Sequence, residues 1–158
     1  MSKEDDDSVI EMRPPRVLFE VGGPVDACSA TLCIYHEDLD PDEMTRRLGV
    51  NPTTAFRRGF QRRSASRPMP HGAWLLRVSE PSLRTVEDQL HRLLMQLVVA
   101  PDIWATVVAE HRVRISVGLH MSAWNRGFAL SPTILAAVAK LNVELDFDVY
   151  VYDDTEDG

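Results

Sequence analysis

Apolar and polar positions alternate along four segments of the chain, and between these segments the apolar positions recur every three or four residues. Ala30, Leu32 and Ile34 alternate with Thr31, Cys33 and Tyr35, as Trp74, Leu76 and Val78 do with Leu75 and Arg77. Val113, Ile115, Val117 and Leu119 alternate strictly with Arg112, Arg114, Ser116 and Gly118. Val143, Leu145, Phe147, Val149 and Val151 alternate with Glu144, Asp146, Asp148, Tyr150 and Tyr152. Successive side chains of a strand point to opposite faces, so each segment predicts a strand with one face turned to a core. Val17, Phe19 and Val21 predict a short edge strand or extended lead-in before Gly22-Gly23-Pro24, and Thr54 to Phe60 a further strand followed by a loop.

The helical segments carry their own start and stop signals. Asp40, Pro41 and Glu43 form a capping-box arrangement, Met44 and Leu48 lie four apart on one face, and Gly49 ends the helix. Thr85 with Asp88 begins a second helix, on which Val86, Leu90, Leu93, Leu94, Leu97 and Val98 define the core stripe until Pro101 breaks it. Ile103, Trp104, Val107 and Val108 predict a second short helix. Ser131 and Pro132 open a last one, with Ile134, Leu135, Val138 and Leu141 inward and Asn142 at its C-terminal turn. The resulting order predicts an α+β domain over residues 16–152, a single sheet with helices packed on one face, ferredoxin-like with an added αβ unit. The 112–120 and 143–152 strands, joined through a helix, are expected to run parallel.

Composition narrows the class without naming an activity. The chain has 158 residues, 44% hydrophobic and 26% charged, which is the profile of a globular domain rather than of collagen, a coiled coil or a disulfide-rich mini-protein. The acidic opening of residues 1–15 ends in Pro14-Pro15 and predicts a loose arm, matched by an acidic tail over 153–158. No apolar run approaches about 18 residues and no signal-peptide pattern opens the chain, so the sequence predicts a cytoplasmic protein without membrane insertion. Cys28 and Cys33 have opposite strand parity, and the five histidines form no ligand pair, so neither a metal nor a cofactor is called for.

The net charge of −7 conceals a segregation. Residues 1–43 carry 12 acids and 3 bases, residues 44–79 carry 8 arginines and no acid, and residues 144–158 carry 7 acids and no base. Within the middle block Arg57, Arg58, Arg62, Arg63 and Arg67 are candidates for binding an anion such as phosphate or RNA, since planar guanidiniums favour bidentate contacts. High genomic GC content yields the same arginine bias. The overall acidity makes a general nucleic-acid binder the weaker expectation.

Several short stretches together resemble a known family. Glu37-Asp38-Leu39-Asp40-Pro41-Asp42-Glu43, Leu48-Gly49-Val50-Asn51-Pro52-Thr53, Gly72-Ala73-Trp74-Leu75-Leu76, Ala129-Leu130-Ser131-Pro132 and Phe147-Asp148-Val149-Tyr150 follow in the order of the bacterial family called domain of unknown function 4279. The resemblance covers about residues 29 to 152. It implies a bacterial source and a shared fold, and it carries over no catalytic residue. Immunity proteins that block a partner toxin are an analogy among small bacterial domains of this sort.

Three functional readings follow. The leading one is a non-catalytic module that binds a basic protein partner, with Glu144, Asp146, Asp148, Asp153 and Asp154 steering and Tyr150 and Tyr152 supplying contact area. Against it stands internal pairing, in which the arginine cluster neutralises that same acidic face. The second is a small-molecule site or enzyme built from Trp124, Asn125 and Arg126 with Asp148, where an indole face and a guanidinium fork hold a ligand; for Trp124 itself, closure of the core end is the stronger expectation. The third is RNA or phosphate binding through the Arg57 to Arg67 loop.

Overall fold

A computed structural model describes residues 23–64 and 67–152. The expected arm, the Val17 to Val21 strand, Asp153, Asp154 and the rest of the acidic tail lie outside the described residues. The elements in chain order are β1 (Gly23–Pro24), β2 (Ala27–His36), α1 (Pro41–Leu48), β3 (Thr54–Phe56), β4 (Gly72–Val78), α2 (Val86–Gln96), α3 (Pro101–Glu110), β5 (Arg112–Met121), β6 (Arg126–Gly127), α4 (Pro132–Lys140) and β7 (Glu144–Val151). Five strands form one sheet in the order β3-β4-β2-β5-β7. The first four pair antiparallel in the ferredoxin-like arrangement, and β7 adds to β5 in parallel after the α4 crossover, as its connection through a helix predicts.

Strand register explains the core. Ile34 pairs with Trp74 and Val113, Leu32 with Leu76 and Ile115, and Ala30 with Val78 and Val117, so three apolar rows cross the sheet on one face. Met44, Leu48, Val86, Leu90, Leu93, Trp104, Val107, Ile134 and Val138 from the four helices pack on those rows. The opposite face, with Tyr35, Leu75, Arg112 and Arg114, carries no helix among the described residues. No single helix there is long and apolar enough to cross a membrane.

The caps are those the sequence encodes. Asp40 accepts from the Asp42 and Glu43 amides, Gly49 ends α1 at φ 69°, and Ser131 accepts from the Ile134 amide. Ser131 is in turn held by Glu87 of α2, at 2.7 Å from its amide and 2.9 Å from its hydroxyl, which ties α4 to the start of α2.

Four expectations need correction. The strand expected over Thr54 to Phe60 stops at Phe56, because the chain reverses at Gly59 (φ 85°), whose amide donates to the Met69 carbonyl of the returning segment while the Met69 amide donates to the Phe60 carbonyl. Val98 is 89% exposed because α2 ends at Gln96, and Leu135 faces outward on α4. Trp124 is 84% exposed, so it does not close the core. Phe147, Val149 and Val151 share the apolar face of the sheet, yet they are 37%, 53% and 55% exposed, because β7 is an edge strand that α4 leaves uncovered over its second half.

Candidate functional site

The last strand assembles most of the predicted partner-binding residues on one surface. On its helix-free face Glu144, Asp146 and Asp148 are followed by Tyr150 and Tyr152, and the parallel register sets Asp146 beside Ser116, Asp148 beside Gly118 and Tyr150 beside His120. Arg114 donates to Asp146 at 3.0 Å. Ser116 donates its hydroxyl to Asp148 at 3.4 Å, while Glu144 and Asp148 have no ion-pair partner among the described residues. His120 stacks on Tyr150 (5.0 Å, 14°) and on Tyr152 (5.8 Å, 7°), and its Nδ1 lies 3.0 Å from the Tyr152 hydroxyl. His120 joins this group through the pairing of β5 with β7. The alternation that marks β5 carries the signal, but only its register with β7 reveals the partner.

On the other face of β7, Phe147 stacks on Phe128 (5.4 Å, 29°), and Val149 and Val151 continue the apolar row into solvent. The outer edge of β7 pairs with no strand among the described residues.

The arginine cluster pairs elsewhere. Arg57 donates to Asp40 at 2.8 Å and to Asp42 at 3.4 Å. Arg58 reaches Asp38 at 3.2 Å and Glu37 at 3.8 Å. These two arginines therefore neutralise the acidic run leading into α1, and the expected neutralisation of the last strand falls to Arg114 of β5. The Arg57 guanidinium hydrogen bond, joined by the Glu43 and Asp42 amides, holds the Asp40 carboxyl below its usual range. Arg62 lies with its guanidinium 6.0 Å from the Phe56 ring centre. Arg63 and Arg67 are exposed and make no ion pair among the described residues.

The Trp124 loop is organised by its backbone. Ser122 donates through its amide (2.6 Å) and its hydroxyl (3.0 Å) to Asp26, whose carboxyl is lowered chiefly by that amide bond. Arg126 turns its guanidinium to Ser122 at 3.4 Å and Asp26 at 3.9 Å, while β6 pairs with β1. Asn125 is half-buried beside it. No hydrogen bond, ion pair or ring contact joins Trp124 or Arg126 to Asp148 among the described residues. Trp124, Asn125 and Arg126 are neighbours in the segment between β5 and α4.

Two further groups bear on reactivity. Cys28 and Cys33 are free, buried on opposite faces of β2, and burial pushes both thiols up, so they stay protonated rather than nucleophilic. His111 caps α3 with Nδ1 at 3.0 Å from the Val107 carbonyl, edge-on to His36 at 5.5 Å, and burial lowers its pKa from the ordinary 6.5. The unfolded chain therefore takes up this proton at higher pH than the native protein does. Stability should fall as pH drops through 6.5 toward the lower native value. Urea titrations between about pH 7.5 and about pH 5 should show this dependence diminished in His111→Gln; an unchanged slope would assign it to other groups.

The sequence profile of the family described as Domain of unknown function (DUF4279) matches residues 26–152, which include every element from β2 to β7. The chain belongs to the DUF4279 family. No curated protein and no solved structure matches it. In this DUF4279 domain the stretches that resemble the family fall on α1 and its approach, the turn after it, β4, the cap of α4 and the centre of β7. Most of those positions have structural duties. Phe147 to Tyr150 differ, because all four are exposed on the edge strand.

Proposed function

We propose that this DUF4279 domain is a non-catalytic module that binds a basic protein partner along β7, with the partner contributing an extended segment to the open edge of the sheet. The observation that carries this reading is the composition of the strand end. Phe147, Val149, Tyr150, Val151 and Tyr152 are large residues at the end of β7 and just past it, with one acid among them; each is between 37% and 56% exposed, and one edge of the strand pairs with no strand among the described residues. An edge of this kind is a template for strand addition, and it is flanked on one face by the exposed Phe147, Val149 and Val151 and on the other by Tyr150 and Tyr152, so an added strand would find large side chains on both faces. Charge selects the partner. Glu144 and Asp148 have no ion-pair partner among the described residues, so a basic segment gains attraction there, whereas a second copy of the chain brings the same acids and gains none. An immunity-type inhibitor holding a basic toxin is the form of partner this charge fits.

The test is quantitative binding by the full chain of a basic partner recovered by affinity purification. Glu144→Gln/Asp148→Asn should slow association by about tenfold at low salt and leave dissociation little changed, because long-range attraction acts on encounter. Val149→Ser/Val151→Ser should instead speed dissociation. An association rate insensitive to salt and to both acid replacements would remove the steering role, and unaltered dissociation in the valine variant would remove the strand edge as the contact.

A further inference from the structure

We infer that the helix-free face of the sheet holds a second site, separate from the β7 edge, for a small aromatic phosphate: a planar ring carrying a phosphoryl group, of mononucleotide size. The site is a cleft of about 540 Å³ between β2, β3 and β5 and the segment that returns from β3 to β4. That volume lies within the ordinary range for small-molecule sites, about 300–1,000 Å³.

Strand parity builds the floor. Tyr35 pairs with Arg112 and Cys33 with Arg114, which places the phenol and two guanidiniums side by side on the face that no helix covers, next to Leu75. The returning segment builds the wall. The Gly59 and Met69 amides donate to the Met69 and Phe60 carbonyls at 2.9 and 2.8 Å, and Phe60 stacks on Phe56 at 5.4 Å, so the turn holds Arg62 and His71 at the rim.

Three observations fix the ligand class. First, no carboxylate lines the cleft among the described residues, while Arg62, Arg112 and Arg114 all do. Arg62 and Arg112 have no ion-pair partner among the described residues, and the Nε of Arg114 is buried without a hydrogen-bond partner. Arg114 is paired with Asp146 at 3.0 Å and offers its Nε as a donor, so the two unpaired guanidiniums of Arg62 and Arg112 supply the net charge, which suits a group with nearly two negative charges and several acceptor oxygens better than a carboxylate. Second, the walls are aromatic. His71 meets Tyr35 edge-on at 5.2 Å and 86°, the Arg114 guanidinium lies 5.9 Å from the Tyr35 ring centre, and Phe56 stands on the other wall under Arg62. Phe56 is itself buried under Phe60 and Arg62, so a planar ring would meet Tyr35 and His71 and the flat guanidiniums beside them. Burial also pushes the Tyr35 phenol up, which keeps its proton available to donate. Third, the cationic groups beyond the cleft are few, because Arg57 and Arg58 are committed to Asp40, Asp42, Glu37 and Asp38, which leaves Arg63 and Arg67 as the unpaired arginines of the same loop among the described residues. A long polyanion needs a continuous cationic track, and the chain carries a net charge of −7, so the site suits one nucleotide rather than an RNA strand.

Isothermal titration of the full chain with adenosine and guanosine 5′-monophosphate, adenosine alone and inorganic phosphate tests this. At least one monophosphate should bind, with adenosine and inorganic phosphate each weaker by about tenfold or more, since ring and phosphoryl contacts both contribute. Arg112→Gln and Arg62→Gln should each weaken binding by about tenfold while circular dichroism stays unchanged. Arg67→Gln, outside the cleft, should leave it intact. Absence of binding by every monophosphate at millimolar concentration overturns the inference, as does full binding by the Arg62→Gln/Arg112→Gln double variant. Equal affinity for inorganic phosphate removes the aromatic half. Tighter, steeply salt-dependent binding of an RNA oligonucleotide replaces it with a polyanion surface.

Discussion

Trp74→Ala should lower the unfolding free energy by about 3–5 kcal/mol, the range for truncating a buried tryptophan to alanine. Trp74 is fully buried in β4, the strand between β3 and β2, and faces the helix layer, where its removal opens a cavity against Ile34 and Met44 of the same core. It also locates α1. Its indole N–H donates to the Thr45 hydroxyl at 3.0 Å, and that hydroxyl donates to the Pro41 carbonyl at 2.8 Å, so one side chain joins the sheet to the first turn of the helix. Trp74→Phe keeps most of the volume and breaks only the hydrogen bond, and should cost about 1–3 kcal/mol. Urea unfolding of both variants separates packing from the bond. A Trp74→Ala loss below about 1 kcal/mol would contradict the burial that makes this residue the centre of the core.

The second large effect is expected at Gln89, a polar residue only 1% exposed on the inner face of α2. Its amide nitrogen donates to the Glu80 and Leu83 carbonyls, both at 2.9 Å, and its carbonyl accepts from the Glu80 amide at 3.3 Å. The side chain thus supplies the hydrogen bonds that the turn between β4 and α2 cannot make for itself. Gln89→Leu keeps the size and removes all three. Each buried group left unpaired costs about 1–3 kcal/mol, and because Glu80 and Leu83 are only half-buried, water recovers part of that, so about 2–3 kcal/mol is expected in total. Urea unfolding measures the loss, and amide hydrogen exchange should show the Glu80 amide losing protection before the helix does. An unchanged exchange rate there would mean that the turn is held by other contacts.

Gln89 also shows the limit of pattern reading. Its neighbours Val86, Leu90 and Leu93 announce α2 through their spacing, whereas a glutamine within that stripe reads as solvent-facing until the turn it serves is in place. The β7 surface has the same history. The acids and tyrosines were legible as one face of a strand, but His120 joined them only through the register of β5 with β7. The cleft was legible only in part. Arg62 stood in an arginine-rich loop, and Arg112 and Arg114 stood on a strand fifty residues away, with nothing in their spacing to connect them.

By itself the sequence determined the local geometry of this protein. Alternation set which residues of each strand share a face, Asp40, Gly49, Thr85 and Ser131 set where helices begin and end, and the order of elements led to a ferredoxin-like sheet with an added αβ unit. These follow from backbone periodicity and capping, which act over a few residues. The tertiary structure alone decided what covers each face and which charges meet. Periodicity assigns Phe147, Val149 and Val151 to the apolar side of β7, but it does not encode whether a helix reaches them, and as an edge strand they stay open. Likewise the arginine block could have met either acidic end of the chain. The turn at Gly59 brings Arg57 and Arg58 to the acids before α1 and leaves Arg114 to pair with Asp146, because ion pairs form between groups that the fold brings within about 4 Å, whatever their separation along the chain.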